Sequence, residues 1–580
     1  MPASNLHRAS RAAALLAPVL CALLLLLALL APAPHAFAAG LAFREQSLHL
    51  PGAPAALVPA DLDGDGVRDL AVVVVYTEWD QIGVEELTEM DQVEGLVEVL
   101  TIVPVLLDRR EVRAFLGRPG GGLEPAGEPL PLPLSVLSLE PGPPGIPALA
   151  LTDDGASALR FDRAAGRLIL EPVVADPPVL AGTGTFLGGL GLVQDATGDG
   201  IPDLLLPAPD GIALYRGTGQ GLAAEADSRT PLPGDPADPG GRTLDYPLPR
   251  VEDLDGDGLP DLLFRVSARR GSDGWQVLRR LPSAEGPARF AEPVPVRLPP
   301  RESAAAEGED DRGRDDESSG RSPAWLGRLA PDGPGAAVRL ESLDDEDAGM
   351  RKSLAQAREP SYRVHLHPLA PDRALDLAPA SEPAVSFEVK GYVLGDQESD
   401  LTLPGGFQDL NGDGRTDLVT VTNDVSLFKA LAVLATRRLT LELGFHPYCQ
   451  EPDGRLVRAP GDPLTSRLTI DLDDLALRQR SLFAGDFDGD GRADFLQLGR
   501  RREIGVHRGR ADCSYPARAD ATIRLRDELR DLALVEARDL DGDGRTDLAV
   551  THLQRVDEPG VTQPVRLDLY LTRGAGGGER

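Results

Sequence analysis

Residues 61–70 read DLDGDGVRDL. Four aspartates, Asp61, Asp63, Asp65 and Asp69, fall inside nine residues, with Gly64 and Gly66 between them. Carboxylates this close repel and raise one another's pKa values unless a cation or free solvent separates them. The stretch recurs: DATGDGIPDL begins at Asp195, DLDGDGLPDL at Asp253, DLNGDGRTDL at Asp409, DFDGDGRADF at Asp486 and DLDGDGRTDL at Asp539. Six copies of D-x-[DNT]-G-D-G-x-x-D-[LF] are not a chance event, and self-similarity of this kind takes precedence over any other argument about the fold.

The pattern has the chemistry of a hard-cation site. Side-chain oxygens stand at positions 1, 3, 5 and 9. They belong to Asp61, Asp63, Asp65 and Asp69; to Asp195, Thr197, Asp199 and Asp203; and to Asp253, Asp255, Asp257 and Asp261. The later copies supply Asp409, Asn411, Asp413 and Asp417; Asp486, Asp488, Asp490 and Asp494; and Asp539, Asp541, Asp543 and Asp547. Position 7 can add a backbone carbonyl, from Val67, Ile201, Leu259, Arg415, Arg492 and Arg545. Glycine at positions 4 and 6 lets the chain curl through positive φ and turn alternate side chains inward. An oxygen-only donor set without His or Cys suits calcium better than zinc or copper, and magnesium would demand tighter octahedral geometry. Thr197 and Asn411 keep an oxygen at position 3, so those two loops are expected to be weaker sites. About six calcium ions are expected in all. The metal-free alternative is a plain Asx turn.

The first three ligands are shared with an EF-hand, which also needs a bidentate Glu at position 12 and flanking helices. Position 12 here is Val72, Leu206, Phe264, Thr420, Gln497 and Val550, none of them acidic. Strand-like runs follow every loop, among them LAVVVVYT, LLFRVS and LVTVTN. With these residues in place, FAGDFDGDGRADFLQL from Phe483 resembles the FG-GAP or VCBS-type repeat of integrin-α-like β-propellers. The resemblance is carried by the six loops between Asp61 and Asp547. It implies an all-β propeller of four-stranded antiparallel blades, one repeat per blade. It also implies that calcium is bound at a hairpin between two strands by the residues named above.

The loop starts are 134, 58, 156, 77 and 53 residues apart. A four-stranded blade takes about 50 residues, so each of the two long gaps has room for a blade that has lost its ligands. Leu134 to Pro172 reads as four short strands in which the loop has become EPGPPG. In the second gap, WLGRLAPDGPGAAVRL from Trp325, YRVHLHPL and VSFEVKG keep the strands and again lack the carboxylates. Eight blades are therefore favoured over seven. LAFREQSLHL is expected to close the ring by pairing with the last blade, since closure removes exposed strand edges. The expected domain is a propeller over 39–574 with a flexible tail at 575–580. Arg301 to Ser322 reads as an acidic disordered loop, and the acidic run from Tyr76 as an insertion in the first blade.

The chain has 580 residues, 42% of them hydrophobic and 4% aromatic, with a formal net charge of −33. That acidity, without a basic stripe, argues against nucleic acid and anionic membrane as partners. Residues 1–38 read as a secretory signal: Arg8 and Arg11, then an uncharged run from Ala12 to Leu30, then AFA at Ala36 to Ala38. An uncleaved anchor is the alternative, because the run is near spanning length. No later segment is apolar enough to span. Export places the protein outside the cell or in a periplasm. There the remaining Cys449 and Cys513 permit one disulfide, or stay as two buried thiols.

Catalytic motifs are thin. His365 and His367 alternate on one strand and lack further metal ligands, so they are read as part of a half-exposed strand. GTGTFLGGLG from Gly182 precedes a strand and opens no helix, and no nucleophile motif occurs. The expected function is a non-enzymatic binding, adhesion or scaffold module. It would act as a monomer on an extracellular protein or polysaccharide, with calcium bracing the blades. The alternative is a propeller enzyme acting on extracellular polysaccharide, a lyase or a glycosidase.

Overall fold

A computed structural model describes residues 41–76, 109–133, 135–178, 189–231, 248–266, 274–282, 286–299, 321–344, 350–371, 377–393, 406–426, 429, 438–471, 477–478, 482–483, 485–500, 502–527, 534–552 and 565–573. The signal-like segment, most of the acidic run after Tyr76, most of the stretch from Gly182, residues 301–320 and the tail 575–580 lie outside the described residues. No helix among the described residues is long and apolar enough to cross a membrane.

The compact unit Phe43–Thr572 is built almost wholly of strands in antiparallel groups, six of four strands, one of five and one of seven. The first sheet is Ala53–Ala60, Asp69–Tyr76, Arg109–Gly117 and Leu123–Pro131. The second is Val136–Pro141, Ala148–Thr152, Gly155–Asp162 and Arg167–Val174, joined to the first only through one parallel pair, Glu128 with Arg167. The third contains Val193–Gln194, Asp203–Ala208, Gly211–Tyr215 and Ser228–Thr230, and the fourth Arg250–Glu252, Asp261–Val266, Gly274–Leu278 and Val294–Pro295. The fifth contains Trp325–Arg328, Gly335–Ser342, Ser361–Pro371 and Val385–Lys390. The sixth is centred on Asp417–Asn423 and Arg438–Gln450, and the seventh runs from Leu482–Phe483 to Ala521–Arg524. In the eighth, Leu534–Arg538, Asp547–His552 and Val565–Arg573 are completed by Ala42–Leu50 from the other end of the chain.

The cores lie between consecutive sheets. Val58 and Val73 of the first sheet pack with Leu139 and Leu159 of the second. Leu149 and Ala158 of the second pack with Leu204 and Leu206 of the third. Leu205 and Leu214 meet Phe264 of the fourth, and Leu263 and Trp275 meet Leu326 and Ala337 of the fifth. Trp325 and Val338 then meet Leu418 and Tyr448 of the sixth, and Phe445 meets Phe495 of the seventh. The series returns on itself: Leu57 and Val72 of the first sheet share a core with Leu540, Leu567 and Leu569 of the eighth. Asp69–Tyr76 is clothed on both faces: every residue is buried, and all but Asp69 are apolar or aromatic. The arrangement is all-β and propeller-like.

Three points differ from the sequence reading or add to it. Met350–Arg358 is an α-helix inserted between two strands of the fifth sheet. His367 is buried, not half-exposed, with its Nδ1 on the Ala380 carbonyl at 2.9 Å; His365 holds Ser386 Oγ at 2.8 Å. Cys449 and Cys513 form a disulfide between the sixth and seventh sheets.

Candidate metal centres

Each of the six aspartate loops connects two consecutive, antiparallel-paired strands of its sheet. Register is common to five of them: Ala60 pairs with Asp69, Gln194 with Asp203, Glu252 with Asp261, Gln408 with Asp417 and Arg538 with Asp547. The position-9 aspartate is therefore the first residue of the second strand, and positions 1 to 8 bulge out between the paired ends. Both loop glycines need positive φ, +76° at Gly64 and +83° at Gly66, with near-identical values in the other copies. A Cβ would make that conformation costly.

Hydrogen bonding within the loops repeats from copy to copy. In the first, Asp61 Oδ1 accepts from Gly64 N–H at 2.9 Å and Asp61 Oδ2 from Gly66 N–H at 2.9 Å. Asp65 Oδ1 accepts from Val67 N–H at 2.8 Å. In the fifth, Asp486 accepts from Gly489 and Gly491 N–H at 2.7 and 2.6 Å, and Asp490 from Arg492 N–H at 3.1 Å. These Asx-type bonds shape the curl and leave the carboxylates facing one another. Ligand oxygens of Asp61, Asp63 and Asp69 lie within 4.8 Å of one another, as do those of Asp253, Asp255 and Asp261, of Asp486, Asp488 and Asp494, and of Asp539, Asp541 and Asp543.

Position 9 also ties strands together. Asp69 Oδ2 accepts from Leu62 N–H at 2.8 Å, and its Oδ1 accepts from Gly117 N–H, at the end of the third strand, at 2.7 Å. Asp494 joins Phe487 N–H at 2.8 Å to Gly509 N–H at 2.9 Å, and Asp547 joins Leu540 N–H at 2.9 Å to Thr572 N–H at 2.7 Å. Asp203, Asp261 and Asp417 do the same with Gly217, Arg280 and Gln450. All six are buried. Burial pushes Asp69, Asp261 and Asp417 up to about 6, and Asp494 and Asp547 up to about 7, with neighbouring aspartates adding to the rise and the two N–H groups opposing it. Asp203 is raised in the same sense, also by burial. A nearby divalent cation is the element that would return these groups to full charge.

The donor set fits a calcium ion. Every candidate ligand is oxygen, and Asp488 Oδ1 is a buried carboxylate oxygen with no hydrogen-bond partner among the described residues. Such an atom is costly to bury unless something binds it.

Arginines that the repeat pattern does not contain reach these loops. Arg163, in a hairpin of the second sheet, contacts Asp63 and Asp65 at 2.8 and 2.7 Å. Arg328 of the fifth sheet contacts Asp253 at 3.2 Å, Arg279 contacts Asp255, and Arg508 contacts Asp488 at 3.2 Å. Only the fold brings them there, since Arg163 lies a hundred residues from Asp63. Adjacent loops also touch. Thr546 N–H donates to the Asp486 carbonyl at 2.7 Å and Ala493 N–H to the Leu410 carbonyl at 3.0 Å.

The all-β, propeller-like fold with a hairpin-borne aspartate loop in six of its sheets defines the class. Residues 195–264 match the family model of the FG-GAP-like repeat, so the chain carries at least one stretch of FG-GAP-like repeat. No curated protein matches the chain. Among solved structures, the Tc holotoxin pore of Photorhabdus luminescens is 14% identical with a TM-score of 0.28, over 80% of this chain and 18% of that one. A protein from Lactobacillus plantarum is 10% identical with a TM-score of 0.20, over 65% of this chain and 94% of that one.

Proposed function

We propose that the protein is an exported, eight-bladed propeller that binds calcium in its six aspartate loops and serves as a binding or scaffold module, with the metal bracing the blades. The observation that carries the calcium reading is the convergence of three carboxylates in each of four loops, with Asp488 Oδ1 buried and without a partner among the described residues. The eight strand groups, six of them four-stranded, support the blade count, and the pairing of Ala42–Leu50 into the last sheet supports ring closure.

The sites sit on separate hairpins and so do not build one shared reaction centre. Each loop instead ties the two strands it connects to the end of the next one through position 9, so a cation there tightens the tie. Extracellular calcium modules bind with Kd of about 10⁻⁴ to 10⁻³ M. At about 1 mM calcium this corresponds to roughly 0.4 to 1.4 kcal/mol per site, or roughly 2 to 8 kcal/mol for six independent sites. Isothermal titration of chelator-treated protein with calcium chloride tests the reading. About six equivalents are expected, with the loops at Asp195 and Asp409 filling last. No heat and no bound metal would overturn it.

A further inference from the structure

The fourth aspartate loop differs from the others in what lies beneath it. Both sulfurs of the Cys449–Cys513 bond touch its candidate ligand residues. Cys513 Sγ is 3.3 Å from Asp417 Oδ2, and Asn411 Nδ2 is 3.4 Å from Cys449 Sγ. Asp417 is position 9 and Asn411 is position 3.

The disulfide spans two sheets. Cys449 is near the end of Arg438–Gln450 in the sixth sheet, and Gln450 N–H donates to Asp417 Oδ1 at 2.7 Å. Cys513 lies in a turn of the seventh sheet, fully buried, with φ at +54°. Non-glycine residues rarely adopt that conformation, so the turn is held by its surroundings. Arg510 and Ser514 bond across it, and Ser514 Oγ donates to Asp512 at 2.6 Å.

The same turn explains Asn at position 3. Asn411 Oδ1 accepts from Asp413 N–H at 3.1 Å, as Asp63 and Asp255 do from Asp65 and Asp257 N–H in the first and third copies. Its Nδ2 donates to the Ala511 carbonyl at 3.1 Å. A carboxylate has no proton to offer there and would face that carbonyl oxygen with like charge. The amide thus keeps one oxygen for a cation and uses its nitrogen to hold the turn that carries Cys513.

We propose that the Cys449–Cys513 disulfide is required for calcium binding at the fourth loop, which makes this one site dependent on oxidation; the proposal rests on the calcium reading above. In the disulfide, Cys513 sulfur carries no proton and leaves Asp417 Oδ2 to Leu410 N–H and a cation. In the dithiol, the Cys513 S–H is a donor aimed at that same carboxylate oxygen, and the turn bearing Ala511 loses its covalent anchor. Both changes fall on the fourth loop. Among the described residues no other loop has a cysteine beside it, Cys449 and Cys513 being the two cysteines described.

The test is calcium stoichiometry by isothermal titration on four forms of the full chain: unaltered, Cys449→Ser with Cys513→Ser, Asp409→Asn, and all three substitutions together. The cysteine-free form is expected to bind one equivalent fewer at 1 mM calcium, Asp409→Asn one fewer, and the combined form also one fewer, because both changes remove the same site. A cysteine-free form that binds as many ions as the unaltered chain would overturn the proposal and leave the calcium reading intact. A combined form that loses two would also overturn it. An unaltered chain that binds none would defeat the calcium reading and this proposal with it. Should the cysteine-free form fail to fold, dithiothreitol added to folded, calcium-loaded chain replaces it; the dithiol is oxidised to its cyclic disulfide as the protein's bond becomes two thiols. Release of one calcium is then expected, and release of none overturns the proposal.

Discussion

The second and fifth sheets lack the aspartate loop; the other six have it, and the contrast separates what the fold needs from what the metal needs. In the first sheet residues 61–68 lie between the paired Ala60 and Asp69. In the second, residues 142–147 lie between Pro141 and Ala148, and in the fifth, residues 329–334 lie between Arg328 and Gly335. Both connections are two residues shorter, and both put a small residue where the others put a buried aspartate. The strands around them are otherwise intact. Strand pairing and sheet packing therefore do not depend on the loop. Crossties do persist in other forms: Glu140 Oε2 and Oε1 accept from Gly191 and Leu192 N–H at 2.8 and 3.1 Å, and Gly335 N–H donates to the Leu254 carbonyl.

Breaking a position-9 tie should have the largest effect. Asp494→Ala leaves Phe487 and Gly509 N–H buried without an acceptor, at about 1–3 kcal/mol each. A loss of roughly 2–5 kcal/mol in urea unfolding is expected, together with one calcium equivalent. Glu140→Ala leaves two N–H groups in the same position and is expected to cost about 2–4 kcal/mol, while calcium stoichiometry stays unchanged. If Glu140→Ala also removes a calcium, the division between the two kinds of sheet is wrong.

Acid should act on a different part of the sixth sheet. His446 is buried, with Thr422 Oγ1 at 3.0 Å from Nε2 and Arg458 Nη2 at 2.6 Å from Nδ1. Burial, and then the Arg458 charge, lowers its pKa from 6.5 to about 4. A folded pKa below the unfolded one means the unfolded chain takes up the proton first. His446 therefore contributes stability that is whole above pH 6.5 and is lost as pH falls through 4. With calcium saturating, the loss on going from pH 7 to pH 4 should be smaller in His446→Gln, by on the order of 2–3 kcal/mol. Equal acid sensitivity would refute the assignment.

Smaller effects sharpen the comparison further. Asp486→Ala removes a loop ligand that is not a strand tie, so it should abolish one site and cost about 1 kcal/mol at millimolar calcium. Arg163→Ala should change stability by less than about 1 kcal/mol, as partly exposed ion pairs do. It should tighten calcium binding at the first loop, because it removes a competing cation from Asp63 and Asp65.

The loops were legible in the sequence because their candidate ligands are local: positions 1 to 9 carry the pattern and the glycines that fold it. The strands of the second and fifth sheets were legible from composition even without the loops, and so was the pairing of the N-terminal strand with the last sheet. Long-range partners were not. The second role of position 9 depends on an N–H that arrives 15 residues after Asp494 and 48 after Asp69. Arg163, Arg328 and Glu140 belong to no motif, and only packing brings them to their targets. Position 3 of the fourth loop looked like a weakened ligand, and its amide nitrogen had an unseen partner in Ala511. The short helix Met350–Arg358 interrupts the β-pattern without a sequence signal of its own.

Calcium as the brace of the ring is the central claim, and differential scanning calorimetry with and without chelator tests it most directly. Six sites at roughly 0.4 to 1.4 kcal/mol each are a large fraction of a typical stability of about 5 to 15 kcal/mol. Chelation should therefore lower the melting temperature substantially, readdition of calcium should restore it, and elemental analysis of the untreated protein should find about six calcium ions per chain. An unchanged melting temperature with no calcium in the protein would contradict the account and leave the aspartates as turn formers alone.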